Sequence, residues 1–323
     1  MRYYFKTYIV NDREYFEFGE TDDGAEILTE RKLPAYKKDF PLMESLVSFF
    51  YLDVNELEAI CKPMQKALRE YDPHSSQEIM MTVRSGLNTL AEKHIFFALL
   101  RCRWACLLDL AEKGGNDLPV KEISHLPSEV AERQQRMEEL FRNVLLFDPK
   151  EKKIPERFAA YGEDAARKRQ RLFPFRKLTV GFEQVSPTAF TEVLYPEDIY
   201  DLVDFYLREC IRREIPMRRC KNCGRWFALT GHQGWEYCDR VFDEKGRTCR
   251  DVGAVNTWTA KRSEDEVFKV YRREYKKRFG WIKAGKIPAE DFYQWSEQAR
   301  RKKQACDKGE ITLEDFEAWL KKR

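Results

Sequence analysis

The sequence predicts a mainly α protein with small β elements: a helical body, a small cysteine-rich knuckle of treble-clef or ribbon-like form, and a C-terminal helical tail. Three observations lead there. Apolar residues recur at helical spacing over most of the chain, strand-like stretches are confined to the N-terminus and to short pieces near 177–195, and four cysteines fall within thirty residues. With 323 residues, 43% of them hydrophobic and 14% aromatic, the chain has material for a sizeable core and for about two or three domains. No apolar run approaches the roughly 18 residues of a membrane span, so no membrane partner is expected. The opening Met1-Arg2-Tyr3-Tyr4-Phe5-Lys6 carries no signal-peptide core, and nine cysteines are an odd count in a long charged chain. Both point to a reducing cytoplasm, where thiols serve as core residues, metal ligands or nucleophiles.

The first element is a hairpin: Tyr3, Phe5, Tyr8, Ile9 and Val10, a turn at Asn11-Asp12, then Tyr15, Phe16 and Phe18. Helical periodicity begins after Pro41 and runs through Leu57, Ile60, Met64 and Leu68 to Tyr71-Asp72-Pro73. Ser75-Ser76 supply N-cap candidates for one long helix reaching Lys113-Gly114-Gly115. A further amphipathic helix is expected after Pro127, and a charged connector over 148–175 is expected to be helical around Phe158 to Arg169. Extended pieces at 177–182 and 189–195 lead to Pro196-Glu197-Asp198, which opens a helix whose core side holds Ile199, Leu202, Val203, Tyr206 and Cys210. The elements divide the chain into a mostly helical domain with the hairpin (1–175), a strand-strand-helix lead-in (176–215), a metal-binding knuckle (216–255) and a basic helix with a repeat-bearing tail (256–323).

Cys220-Lys221-Asn222-Cys223 is followed by Cys238 and Cys249. A Cys-x2-Cys turn presents two thiolates to one ion, and a second pair completes a tetrahedron, so Cys220, Cys223, Cys238 and Cys249 are the expected ligands of a structural Zn²⁺. Gly224 suits the tight turn, and Trp226, Phe227 and Tyr237 are expected to cover the site. Buried unrelated thiols, a redox Cys-x2-Cys pair, an open catalytic zinc, and replacement of one Cys by His232 are the alternatives. Cys61, Cys102, Cys106, Cys210 and Cys306 read first as small buried hydrophobes.

The net charge of +3 hides an asymmetry: residues 1–210 hold 30 Lys and Arg against 37 Asp and Glu, whereas residues 211–323 hold 28 against 18. Within the basic part, a helix from about Asn256 to Phe279 carries Lys261, Arg262, Lys269, Arg272, Arg273, Lys276 and Lys277, interleaved with Trp258, Val267, Val270, Tyr271 and Tyr275. Such a stripe can follow the phosphates of DNA or RNA while aromatic rings stack on bases. It can equally be a solvated helix face, or a surface that docks on the acidic part of the chain. The tail repeats with a period of 24: Gly285, Ile287, Asp291, Phe292 and Trp295 are matched by Gly309, Ile311, Asp315, Phe316 and Trp319. Each copy reads as a helix stop, a new start and a Phe/Trp face; Thr312 with Asp315 resembles a capping box. The faces suit either packing within the chain or a protein partner.

The segments Arg219 to Phe227, Tyr237-Cys238 and Cys249-Arg250-Asp251-Val252-Gly253-Ala254, together with the tail repeat, resemble a bacterial family of unknown function over about residues 190–323. The resemblance implies a cytoplasmic protein of Gram-positive bacteria and their mobile elements. The arrangement is also similar to the CGNR-type zinc fingers of bacterial regulators, which implies DNA binding with the same four cysteines as ligands. Here Arg250-Asp251-Val252 stands where those fingers have Gly-Asn-Arg.

Together these features predict a zinc-stabilised nucleic-acid-binding protein, with a protein-interaction adaptor as the alternative. An enzyme ranks third: no Gly-rich phosphate loop and no helical His pair is present, and the only histidines are His74, His94, His125 and His232.

Overall fold

Strand β1 (Arg2–Val10) turns back into β2 (Arg13–Thr21) through Asn11 and Asp12, both left-handed at φ 49° and 56°. Two such residues are what a two-residue hairpin turn of the right twist demands. In the computed structural model the described residues are 2–21, 36–71, 77–114, 117–148, 153–168, 173 and 175–322, without the side chains of residues 2, 20, 21 and 260–264. The N-cap candidates Ser75 and Ser76, and Gly115, lie outside them.

The chain forms two compact units: Met1–Arg219 with Arg225–Trp235, and Cys220–Gly224 with Glu236–Arg323. In the first, the hairpin is the middle of a five-stranded antiparallel sheet ordered β3-β2-β1-β5-β4, with β3 at Tyr36–Pro41, β4 at Val180–Ser186 and β5 at Ala189–Leu194. β3 was not expected from the sequence; Tyr36-Lys37-Lys38-Asp39 is an exposed polar edge without the apolar alternation that marks a strand. Phe5, Thr7 and Ile9 pair in register with Phe18, Phe16 and Glu14 and share the buried face.

Helices α1 (Glu44–Phe50), α2 (Val54–Arg69), α3 (Gln77–Lys93), α4 (Phe96–Glu112), α5 (Val120–Leu140), α6 (Ile154–Lys168) and α7 (Ile199–Arg212) complete the unit. α4 packs on β1, β2 and α7, and α2 packs on α3 and α5. The single helix expected to end at Lys113-Gly114 is in fact two. At the break His94 is buried: its Nε2–H donates to the Ser45 carbonyl (3.0 Å), and its Nδ1 accepts from the Phe96 N–H (3.2 Å), satisfying a first-turn donor of α4. Burial holds the imidazole pKa down to about 4, so the ring is neutral and keeps this tautomer. α5 likewise starts at Val120, ahead of Pro127, which it carries in its interior with the ring buried. The helix expected around Phe158 is α6, and α7 opens on a capping box between Asp198 and Asp201.

Glu14 sits on the core face of β2, opposite a helix start that has no side-chain cap of its own. Met43, at the N-cap of α1, is left-handed, and the Ser45 N–H donates instead to Glu14 Oε2 at 3.1 Å. Burial pushes the Glu14 pKa up to about 8, so this carboxyl folds in its neutral form near pH 7.

A second sheet of two strands, β6 (Met217–Arg219) and β7 (Trp226–Ala228), closes the first unit. Trp226 was expected over the metal site. Its side chain instead belongs to the core of the first unit, edge-on to Phe141, with Nε1 donating to Glu138 at 2.7 Å.

Candidate functional site

The second unit begins with the Cys-x2-Cys turn. Gly224 has φ +71°, and its N–H donates to the Cys220 carbonyl at 2.8 Å, a tight reversal that glycine adopts without strain. Lys221 N–H donates to the Glu236 carbonyl (3.0 Å), which draws Cys238 beside the turn, and Cys238 N–H donates to Cys220 Sγ at 3.4 Å. The ten residues between Cys238 and Cys249 fold back on themselves. Phe242 N–H donates to Arg247 (2.7 Å) and Cys249 N–H to Arg240 (2.9 Å), so the fourth thiol returns to the third.

Cys249 is the first residue of α8 (Cys249–Glu264), which is capped reciprocally by Thr248 and Asp251. The helix dipole favours a thiolate there, while burial works against it and raises the Cys249 thiol pKa. Gly253, one turn on, lies flat against Tyr237: a Cβ at this position would come within 2.2 Å of the ring. Tyr237 thus packs on α8, and its hydroxyl donates to Thr257 Oγ1 at 3.4 Å.

Sγ atoms of Cys220, Cys223, Cys238 and Cys249 all lie within 4.8 Å of one another, with Cys223 to Cys238 at 3.7 Å. A tetrahedron with bonds of about 2.3 Å has edges of about 3.8 Å, so these four donors fit one metal ion. All are free thiols. Burial raises the Cys220 thiol pKa, but N–H groups of Cys223, Cys238 and Asn222 outweigh it and bring it down to about 7, towards the thiolate a metal needs. Asn222 Nδ2 also donates to Cys249 Sγ at 3.3 Å. His232 belongs to the first unit, where its Nδ1 accepts from the Gly234 N–H in an exposed turn. Cys61, Cys102, Cys106 and Cys210 are buried, and burial pushes the Cys61 thiol up to about 12.

The basic stripe is distributed over two helices. α8 ends before Asp265, whose side chain caps α9 (Glu266–Lys283) by accepting from the Phe268 N–H, so the single helix expected from Asn256 to Phe279 is divided there. Side chains of Lys261 and Arg262 lie outside the described residues. On α9, Lys269 pairs with Glu266 (2.6 Å), Arg273 with Glu317 (2.6 Å) and Lys277 with Glu274 (3.2 Å). Arg272 and Lys276, both exposed, have no ion pair among the described residues. Arg278 is buried and donates to the carbonyls of Leu320 and Lys322 at the end of α11 (Leu313–Lys321).

α10 (Ala289–Asp307) and α11 carry the repeat. Gly285 and Gly309 both end a helix with positive φ, and the N–H groups after them reach back to Trp281 and Ala305. Thr312 accepts from the Asp315 N–H at 3.1 Å, as a cap should. Phe292 and Phe316 are buried within the unit. Between α8, α9 and α10 lies a cavity of about 300 Å³ lined by Trp258, Phe268, Tyr271, Arg272, Tyr275 and Arg300. Phe268 and Arg300 were not among the residues picked out in the sequence. Arg300 is 28 positions from Arg272, and only the packing of α10 on α9 brings them together.

Fold and site together define a mainly helical protein with a cluster of four cysteines that could hold a metal ion. Residues 179–323 match the model of a family of unknown function, DUF6076. Comparison with curated proteins and with solved structures finds no match. The matched segment starts at the β4–β5 hairpin and includes all four clustered cysteines. No helix among the described residues is long and apolar enough to cross a membrane.

Proposed function

We propose that this chain is a zinc-stabilised nucleic-acid-binding protein. Four thiolates at tetrahedral spacing suit Zn²⁺, and a site closed by four protein ligands keeps no position for a reacting water, so the metal is architectural. It ties the Cys-x2-Cys turn to the first turn of α8 and so supports the helices that follow.

The observation that carries nucleic-acid binding is the pairing of unneutralised arginines with aromatic rings across α8, α9 and α10. Arg272 on α9 and Arg300 on α10 have no ion pair among the described residues, and both line a cavity with four aromatic side chains. The second unit holds 23 Lys and Arg against 17 Asp and Glu, the sign that draws a phosphate backbone. Exposed pairs such as Lys269 with Glu266 are worth little and can open towards a phosphate. A DNA-binding regulator of a bacterial mobile element is the setting that the sequence resemblance implies. The adaptor reading has less support, because the repeat's buried phenylalanines are taken up inside the unit.

The test is binding of the full, zinc-loaded chain to duplex DNA and to RNA across a salt series, for the wild type and for the triple reversal Arg272→Glu, Lys276→Glu, Arg300→Glu. Steep weakening with salt is expected, and each lost phosphate contact should remove about one from the slope. Unchanged affinity in a folded triple variant would refute the surface.

A further inference from the structure

The cavity between α8, α9 and α10 has a chemistry more specific than a positive surface. Trp258 comes from α8, Phe268, Tyr271, Arg272 and Tyr275 from α9, and Arg300 from α10. Trp258 is 53% exposed, unusual for the largest apolar side chain in a unit that buries Phe292 and Phe316. The Arg272 guanidinium lies 5.9 Å from the centre of the Phe268 ring, and Tyr271 and Tyr275, one turn apart, have ring centres 5.8 Å apart. Four aromatic rings and two planar cations therefore line one volume of about 300 Å³.

A phosphate alone needs only the cations, and an apolar peptide side chain needs only the rings. A nucleotide needs both: a π-face for the base and a cation for the phosphate attached to it. In duplex DNA the faces of the bases are already stacked on one another, so only an unpaired base can enter. We infer that this groove is a stacking site for an unpaired base of single-stranded nucleic acid, with Arg272 and Arg300 holding the flanking phosphates. The inference rests on the nucleic-acid reading above and narrows it to single strands.

The experiment uses the full zinc-loaded chain and three probes of equal length: a labelled oligothymidylate, the same oligomer with abasic sites, and its duplex with oligoadenylate. The oligothymidylate should bind at least about ten-fold more tightly than either of the others. Trp258→Ala should weaken it about five- to one-hundred-fold, the range for one base–aromatic stack, without changing the salt slope. Arg300→Gln should weaken it and also lower the slope. Retention of zinc and of the helical circular dichroism signal shows that each variant is folded; because Trp258 is half exposed and Arg300 is exposed, neither change opens a core cavity.

Equal binding of single strand, abasic strand and duplex, unaffected by Trp258→Ala, would overturn the base site and leave the phosphate reading standing. Failure of the wild type to bind any of the three at low salt would overturn both. Displacement of the oligothymidylate by polyglutamate at equal charge concentration would overturn the base site in favour of an acidic protein partner.

Discussion

The side-chain amide of Asn222, the residue inside the Cys-x2-Cys turn, donates to Sγ of Cys249 at 3.3 Å, while its carbonyl oxygen accepts from Asn256 Nδ2 at 3.0 Å. The Asn222 amide is thus held from α8 and aimed at the sulfur that begins the same helix. An amide N–H on a thiolate stabilises its charge and fixes its direction, the part that outer residues play at metal centres. Asn222→Ala should lower zinc affinity about 10- to 100-fold, measured by competition with a chromophoric chelator. Asn222→Asp should lower it further, because a carboxylate then faces the thiolate. Equal affinity in all three proteins would show the contact to be incidental.

Metal removal gives the second expectation. Little apolar sequence surrounds the cluster, so an ion bound there would supply much of the local folding energy. Cys220→Ser, Cys238→Ser or chelation should melt the order of α8 while leaving the core of the first unit protected. Hydrogen exchange read by mass spectrometry would locate the loss. Protection of residues 249–264 that survives chelation would contradict it.

Gly253 and Tyr237 make a third test. A methyl group at Gly253 collides with the Tyr237 ring, so Gly253→Ala should destabilise the second unit by about 1–3 kcal/mol despite the better helix propensity of alanine. Adding Tyr237→Ala should recover part of that loss. Denaturant titration of the single and double variants reads the coupling directly.

The two copies of the repeat meet through Trp295 and Trp319, whose rings stack with centres 6.4 Å apart and planes 6° from parallel. A double-mutant cycle on Trp295→Ala and Trp319→Ala should return a coupling of about 0.5–1.5 kcal/mol. Simple additivity would mean that the copies are held together elsewhere.

In the first unit, Glu14 sets a pH dependence. Its pKa is raised from 4.5 to about 8 by burial, so the folded state binds a proton that the unfolded chain has released. The stability tied to this proton is fully present below pH 4.5 and is lost as pH rises through about 8. Glu14→Gln, which keeps the shape and cannot ionise, should flatten the decline in melting temperature between about pH 4.5 and pH 8. An identical decline in wild type and variant would remove Glu14 as its source.

Local patterns in the chain were enough to announce several elements. Asn11-Asp12 between alternating apolar residues, Asp198 before a helical period, glycines at 285 and 309, and the Cys-x2-Cys spacing each record a short-range requirement: a left-handed turn, a cap, a helix stop, a two-thiolate bite. The clustering of the four cysteines was legible for the same reason, since two of them lie in one turn. Elements decided at long range were not. β3 exists because β2 offers it an edge, and the helix break at His94 depends on the Ser45 carbonyl, 49 residues earlier in the chain.

The sequence by itself determined the class of the protein, its cysteine donor set and the excess of positive charge in its last third, because these follow from composition, spacing and short-range geometry. Only the tertiary structure decided what each side chain is used for. It sent Trp226 into the core of the first unit, spent Lys269, Arg273 and Lys277 on acidic neighbours and Arg278 on the end of α11, and set Arg300 across a groove from Arg272. Helical periodicity tells which residues share a face but not which face meets which. That pairing is set by packing among helices far apart in the chain, where burial of apolar area and satisfaction of polar groups are settled together.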